Sequence, residues 1–365
     1  MMRMALATAR QSAAFLGASL PWMDGRLAWR ELENKLNVFN LFEHVEWTLD
    51  APPPGGGFAL GELLAQAGRK DDYTGLWIAE GLGHRHAERS WEEGRAPRRL
   101  LLDHRLPERA MVALHAGMGL SFASRALERL DLDSSGPRLR AALGEFVDLC
   151  KRNSRPGCLE AAIEPLGLAV RTLRPWLALP FDRELARVDR RLPGLFWHGV
   201  GRGIYFIPTN FVPWTGAWER ALELAEREPP HQQGRLNALA GLCWALTLVN
   251  VRSPGVVEAF VQRHGGRLAQ SPAFSNGAGS ALIVWRHWAG EGAEASLLGH
   301  RPEEPGVARS WEALLRRPAQ QALRKCYPPL RRGGRFGELF RFQPLSQLAA
   351  RLERGAARGQ PFRQA

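Results

Sequence analysis

A chain of 365 residues with 45% hydrophobic and 9% aromatic content can bury a large core, which excludes a disordered protein and suits one repeat domain or two ordinary ones. The formal charge of +12 is unevenly spread: from Arg301 to Ala365 fourteen Lys and Arg face five Asp and Glu, so the body is close to neutral and only the tail is basic. That distribution disfavours nucleic acid as a partner of the body.

Four cysteines, Cys150, Cys158, Cys243 and Cys326, show no metal-ligand spacing, so they read as reduced thiols of a cytoplasmic protein, with no metal or other cofactor expected. At the N-terminus, Arg10 and Gln11 interrupt the apolar run that an export signal needs. No apolar stretch approaches the roughly 20 residues that cross a bilayer, which leaves only peripheral membrane contact open.

In chain order, residues 1–50 carry Leu27, Trp29, Leu32, Leu36, Phe39 and Phe42 at mixed helical spacing and form an N-terminal helical segment. Residues 51–57, Ala-Pro-Pro-Pro-Gly-Gly-Gly, cannot continue a helix and read as a linker. Over residues 58–300 an apolar segment with small residues at its centre recurs, marked by Gly83, Gly119, Gly167, Gly201, Gly241 and Gly279 at steps of 36, 48, 34, 40 and 38. A period near 40 predicts an all-α fold of two-helix units, an α/α toroid or solenoid. Amphipathic stretches such as Leu139 to Leu149 and Trp218 to Glu228 supply the second row of helices.

A glycine inside a helix costs about 1 kcal/mol against alanine, so six of them need a reason. Either neighbouring helices approach closely, or the backbone must approach a ligand. A phosphate cradle is not the reason, because Gly199-Val200-Gly201-Arg202-Gly203 lacks the third fingerprint glycine and a preceding strand. Strand signal is weak throughout; Gly203 to Val212 is its best candidate, and a buried helix end with a loop explains it equally. Residues 301–365 lose the repeat and predict capping helices with a basic tail, whose interleaved Arg and Phe can cap a core or bind nucleic acid.

Candidate chemistry lies in the glycine segments. Glu80 is an acid in an apolar run and needs either a partner, such as Arg85 or an arginine of another repeat, or a shifted pKa. His84, His115 and His198 stand beside glycine pairs and could converge with Glu80 for acid and base work, or be satisfied core histidines. Trp197, Arg202, Tyr205, Trp244 and Asn276 are aromatic or polar-tipped residues of the same segments and are the candidate ligand-binding set.

Residues 199–206, 235–245 and 269–274, with Glu80-Gly81 and His115-x-Gly117-Met118-Gly119-Leu120 before them, resemble a bacterial domain of unknown function, the DUF1702-like family of UnbL/UnbU-type proteins associated with enediyne gene clusters. The likeness spans roughly residues 75–290 and lacks the Asp-Gly-Tyr-Gly-Phe-His type of segment expected in the middle of the family. It implies an accessory protein of secondary-metabolite biosynthesis, with no catalytic residues to carry over. Together with the tryptophan-rich segments, the resemblance makes a hydrophobic small molecule or a partner biosynthetic protein the expected ligand. The alternative is an enzyme with a Glu and His acid–base site in a central cavity.

Overall fold

The computed structural model describes residues 25–39, 45, 59–102, 105–211 and 217–357, and every regular element among them is helical. The fold class is therefore all-α, as the sequence predicts. Two helices, α1 (Gly25–Phe39) and α2 (Leu60–Ala67), precede the first glycine segment. The glycine segments fall on α3 (Asp72–Glu92), α4 (Met111–Glu128), α7 (Pro165–Leu173), α9 (Leu192–Tyr205), α11 (Gln232–Val249) and α13 (Ala273–Ala289). Between them lie the amphipathic α5 (Gly136–Asn153), α8 (Ala178–Val188), α10 (Ala217–Arg227) and α12 (Pro254–Leu268), with a short α6 (Leu159–Ile163) leading into α7. The chain continues through α14 (Ala295–Gly299), α15 (Pro305–Trp311), α16 (Arg317–Lys325), α17 (Tyr327–Gly333) and α18 (Leu345–Ala357). The linker 51–57 lies outside the described residues.

Local chemistry sets the boundaries. Asp71 accepts the Thr74 backbone N–H at 3.2 Å to cap α3, and the His231 ring accepts that of Gly234 at 2.8 Å to cap α11. Pro165 and Pro254 open α7 and α12, where a missing N–H leaves no helical bond unmade. The strand candidate at 203–212 is instead the last turn of α9 followed by a tight turn at Pro208–Asn210, with Val212 outside the described residues.

The glycine helices pack in a closed circuit: α3 on α4, α4 on α6 and α7, α7 on α9, α9 on α11, α11 on α13, and α13 back on α3. Contact is backbone to backbone. A Cβ added at Gly117 of α4 would sit 1.7 Å from the Glu80 carbonyl oxygen of α3, and one at Gly167 of α7 would sit 1.9 Å from that of Phe196 on α9. Gly201 and Gly241 do the same between α9 and α11, and Gly277 between α11 and α13. Close approach of neighbouring helices, the first of the two reasons offered, thus accounts for Gly83, Gly119, Gly167, Gly201 and Gly241, while a Cβ at Gly279 would meet the side chains of Leu345 and Ala322 instead. The circuit closes through Trp288, whose indole donates to the Asp72 carbonyl at 2.7 Å, and Tyr73, whose hydroxyl donates to that of Val249 at 2.7 Å. Helix α3 therefore begins at the level where α11 and α13 end.

Residues 301–357 are largely helical and pack on the body. Trp311, Leu315, Phe336, Leu339 and Phe340 belong to the main hydrophobic core, and α16 packs on α13. The stretch Phe336–Gln343 runs against α6 and α13, held by three polar hooks. The Gly337 N–H donates to the Gly157 carbonyl at 2.8 Å, the Phe342 N–H to the Asn237 side-chain oxygen at 2.6 Å, and the Asn276 side-chain amide to the Gln343 carbonyl at 2.6 Å.

Candidate functional site

The junction of α6 and α7 places one carboxylate inside the circuit. Glu164 precedes Pro165 and is fully buried. On α9, His198 and Arg202 are one turn apart, so both reach it. His198 Nδ1 donates to Glu164 Oε1 at 2.7 Å, and Arg202 Nη1 donates to Oε2 at 2.7 Å. The other guanidinium nitrogen, Nη2, lies 3.6 Å from Glu80 Oε1 on α3. Trp244 of α11 stacks over the guanidinium at 4.6 Å, and Phe340 closes the group, 6.3 Å from the His198 ring and 5.9 Å from that of Trp244.

Two properties of this cluster are chemical. Glu164 can only accept, so its bond fixes the His198 proton on Nδ1; in the neutral ring Nε2 then carries a lone pair. That atom is buried and has no hydrogen-bond partner among the described residues, as is true of Arg202 Nε and Trp244 Nε1. Burial raises the pKa of Glu80 and the nearby Glu164 charge adds to it, while Arg202 opposes. Glu80 is thereby biased toward the protonated acid. Arg202 is held charged against the cost of its burial by Glu164 first and Glu80 second.

Of the residues expected from the sequence, the structure brings together Glu80, His198, Arg202 and Trp244. The partner of Glu80 is an arginine of another repeat; Arg85 pairs with Glu92 at 2.6 Å instead. His84 stands one turn along α3 from Glu80, and burial, with a smaller effect of Arg85, lowers its pKa to about 4. The remaining four lie elsewhere. His115 is bound through both nitrogens, Nδ1 to the Met111 carbonyl at 2.6 Å and Nε2 to the Arg155 N–H at 3.0 Å, a structural role that leaves it no atom for chemistry. Trp197, next to His198, faces the other way and donates to Asp182 of α8 at 2.8 Å. Asn276 hooks the C-terminal stretch. Glu164 and Phe340 were not foreseen, although Glu164 carries the signal that marked Glu80, an acid opening an apolar glycine segment.

Tyr205 belongs to a second buried polar group, built around α1. Glu31 and Lys35 of that helix pair at 2.7 Å. The Tyr205 hydroxyl donates to Glu31 at 3.0 Å and accepts from Asn250 at 2.8 Å, and the Trp218 indole donates to Glu31 at 3.3 Å. Lys35 also donates to the Asn210 carbonyl at 2.8 Å and lies over the Tyr205 ring.

Among the described residues no group of three or more His, Cys, Asp or Glu assembles to hold a metal ion, all four cysteines are free and buried, and no helix is long and apolar enough to cross a membrane. Comparison with family models, with curated proteins and with solved structures gave no match. The functional reading therefore rests on the site itself and on the sequence segments described above.

Proposed function

We propose that the protein is an acid–base enzyme that moves a proton on a small, largely apolar substrate held against Trp244 and Phe340. The observation that carries this reading is His198, oriented by Glu164 through Nδ1 and left with a bare, buried Nε2. A buried polar atom without a partner costs about 1–3 kcal/mol, and here it belongs to a ring that a buried carboxylate orients, a pairing that supports use over packing. In this reading Nε2 is the general base, Glu164 the positioning carboxylate, Glu80 the proton donor and Arg202 the anchor for a developing negative charge. Substrate reaches Nε2 by displacing the Phe340 stretch, since Phe340 and His198 are both almost fully buried. The setting in secondary-metabolite biosynthesis, with a hydrophobic intermediate as substrate, is proposed on the resemblance of the glycine segments alone.

Proton transfer leaves a mark that needs no knowledge of the substrate. The full-length protein is incubated in D2O with a small-molecule extract of the cell that encodes it, and ions gaining one mass unit are sought. The reading expects exchange that depends on the protein, disappears in His198→Gln and persists in Thr172→Ala, whose hydroxyl bonds only to carbonyls of its own helix. A folded wild-type protein that exchanges no component of the extract overturns it.

A further inference from the structure

Of the five large apolar side chains that stand exposed among the described residues, four lie between positions 173 and 188: Leu173, Trp176, Leu179 and Val188. The first three occupy one feature, the end of α7, the tight turn Pro175–Leu177 and the start of α8. They are 55%, 44% and 49% exposed, in a protein whose Trp197, Trp218, Trp244, Trp288 and Trp311 are buried. Exposing two leucines and an indole on one turn forgoes the burial that organises the rest of the chain.

The unpaired charge of this stretch has one sign. Arg174, whose guanidinium lies over the Trp176 ring at 5.6 Å, and the exposed Arg183 and Arg190 have no ion pair among the described residues. Every acid of this stretch is already committed. Asp182 accepts from Trp197 and His231, Glu184 is buried against Arg140 and Arg187, and Asp189 pairs with Arg191. The neighbouring Arg171 is matched by Glu228 at 3.1 Å.

We infer that the α7–α8 turn is a docking wedge for an anionic lipid surface: Leu173, Trp176 and Leu179 enter the headgroup layer, and Arg174 and Arg183 bind its phosphates. Leucine and tryptophan beside unpaired arginines match the two layers of a bilayer interface, apolar beneath and negative above. A protein partner is the weaker fit. A stable protein interface buries about 800 Å² on each side, far more than three side chains on a turn supply, whereas a bilayer admits a small protrusion without a complementary shape. Docking of this kind needs no spanning helix. It places the protein where apolar metabolites partition, and it stands independently of the His198 reading.

The test is co-sedimentation of the full-length protein with vesicles of phosphatidylcholine alone and with one third phosphatidylglycerol. The wedge expects binding to the anionic vesicles, weakened by raised salt, and at least about tenfold weaker binding to the neutral ones. Trp176→Ala and the pair Leu173→Ser with Leu179→Ser should each lower binding by about tenfold or more, and Arg174→Glu with Arg183→Glu should remove its salt dependence. Leu173, Trp176, Leu179 and Arg183 are exposed and Arg174 is half-buried with no ion pair among the described residues, so the variants keep the helical circular dichroism of the parent. Failure of the wild type to bind anionic vesicles, or equal binding by every variant, overturns the inference. So does a dimer in solution that Trp176→Ala dissociates, which would make the turn a contact between copies of this chain.

Discussion

The two buried polar groups use the same ingredients to different ends. Around α1, Glu31, Lys35, Tyr205, Asn250 and Trp218 satisfy one another, and among the described residues only the Asn210 side-chain oxygen of this group lacks a partner. Around α9, Glu164 is saturated while His198 Nε2, Arg202 Nε and Trp244 Nε1 have no partner among the described residues. A saturated network fastens elements together and makes the structure specific. One that fixes a base and leaves its reactive atom open is arranged for a further partner. The first group pins the N-terminal helix to the ends of α9 and α11; the second is the candidate site.

Five experiments break or sharpen this contrast. The largest effect is expected from Gly117→Ala, because the new methyl group collides with the Glu80 carbonyl and must drive α3 from α4. We expect a loss above about 3 kcal/mol in chemical denaturation, or no folded protein; Gly167→Ala, at the joint of α7 and α9, should match it. Next, Glu164→Ala and Glu31→Ala each strand a buried cation, Arg202 or Lys35, and should cost about 3–5 kcal/mol. The milder Glu164→Gln and Tyr205→Phe then separate the roles: the first should abolish deuterium exchange, and the second should leave it intact. Equal effects on exchange would dissolve the distinction between the two groups.

The cover of the site adds an acid-sensitive element of its own. Burial pushes Glu338 up, but Arg351 first, then Arg341 and Arg335, hold its pKa down at about 2 against an ordinary 4.5. A carboxyl lowered by folding contributes stability above its unfolded value and loses it as pH falls toward the folded one. Between about pH 4.5 and 2 this should remove about 3 kcal/mol. Urea unfolding followed across that range should show the loss in the wild type and a flatter profile in Glu338→Gln. The smallest effect has the opposite sign. Gly144, in the amphipathic α5, has no neighbour within 4 Å of an added Cβ, so Gly144→Ala should stabilise by about 0.5–1 kcal/mol. A destabilisation there would mean that the glycines do not sort by helix contact.

The helical class and the six glycine helices were legible because apolar periodicity and helix-breaking residues act locally. Glu80 announced itself for the same reason: a carboxylate in an apolar run must find a partner, wherever that partner is. What the order of residues could not state is which faces meet. His84, His115 and His198 look alike beside their glycines, and Trp197 and Trp244 look alike in theirs. Yet His115 is bound at both nitrogens and Trp197 turns to Asp182. Glu164 passed unnoticed because its segment is the least regular of the six, and Phe340 because residues 301–365 read as a cap and basic tail, where the structure runs Phe336–Gln343 through the core.

The sequence by itself determined an all-α chain whose glycine helices would crowd together, since missing side chains and apolar spacing are properties of each segment. Only the tertiary structure decided that Glu164, His198, Arg202 and Glu80 share one interior point while Tyr205 anchors another. The physical reason is that a buried charge is settled by partners distant in sequence, and their identity depends on which backbones approach within a glycine's width.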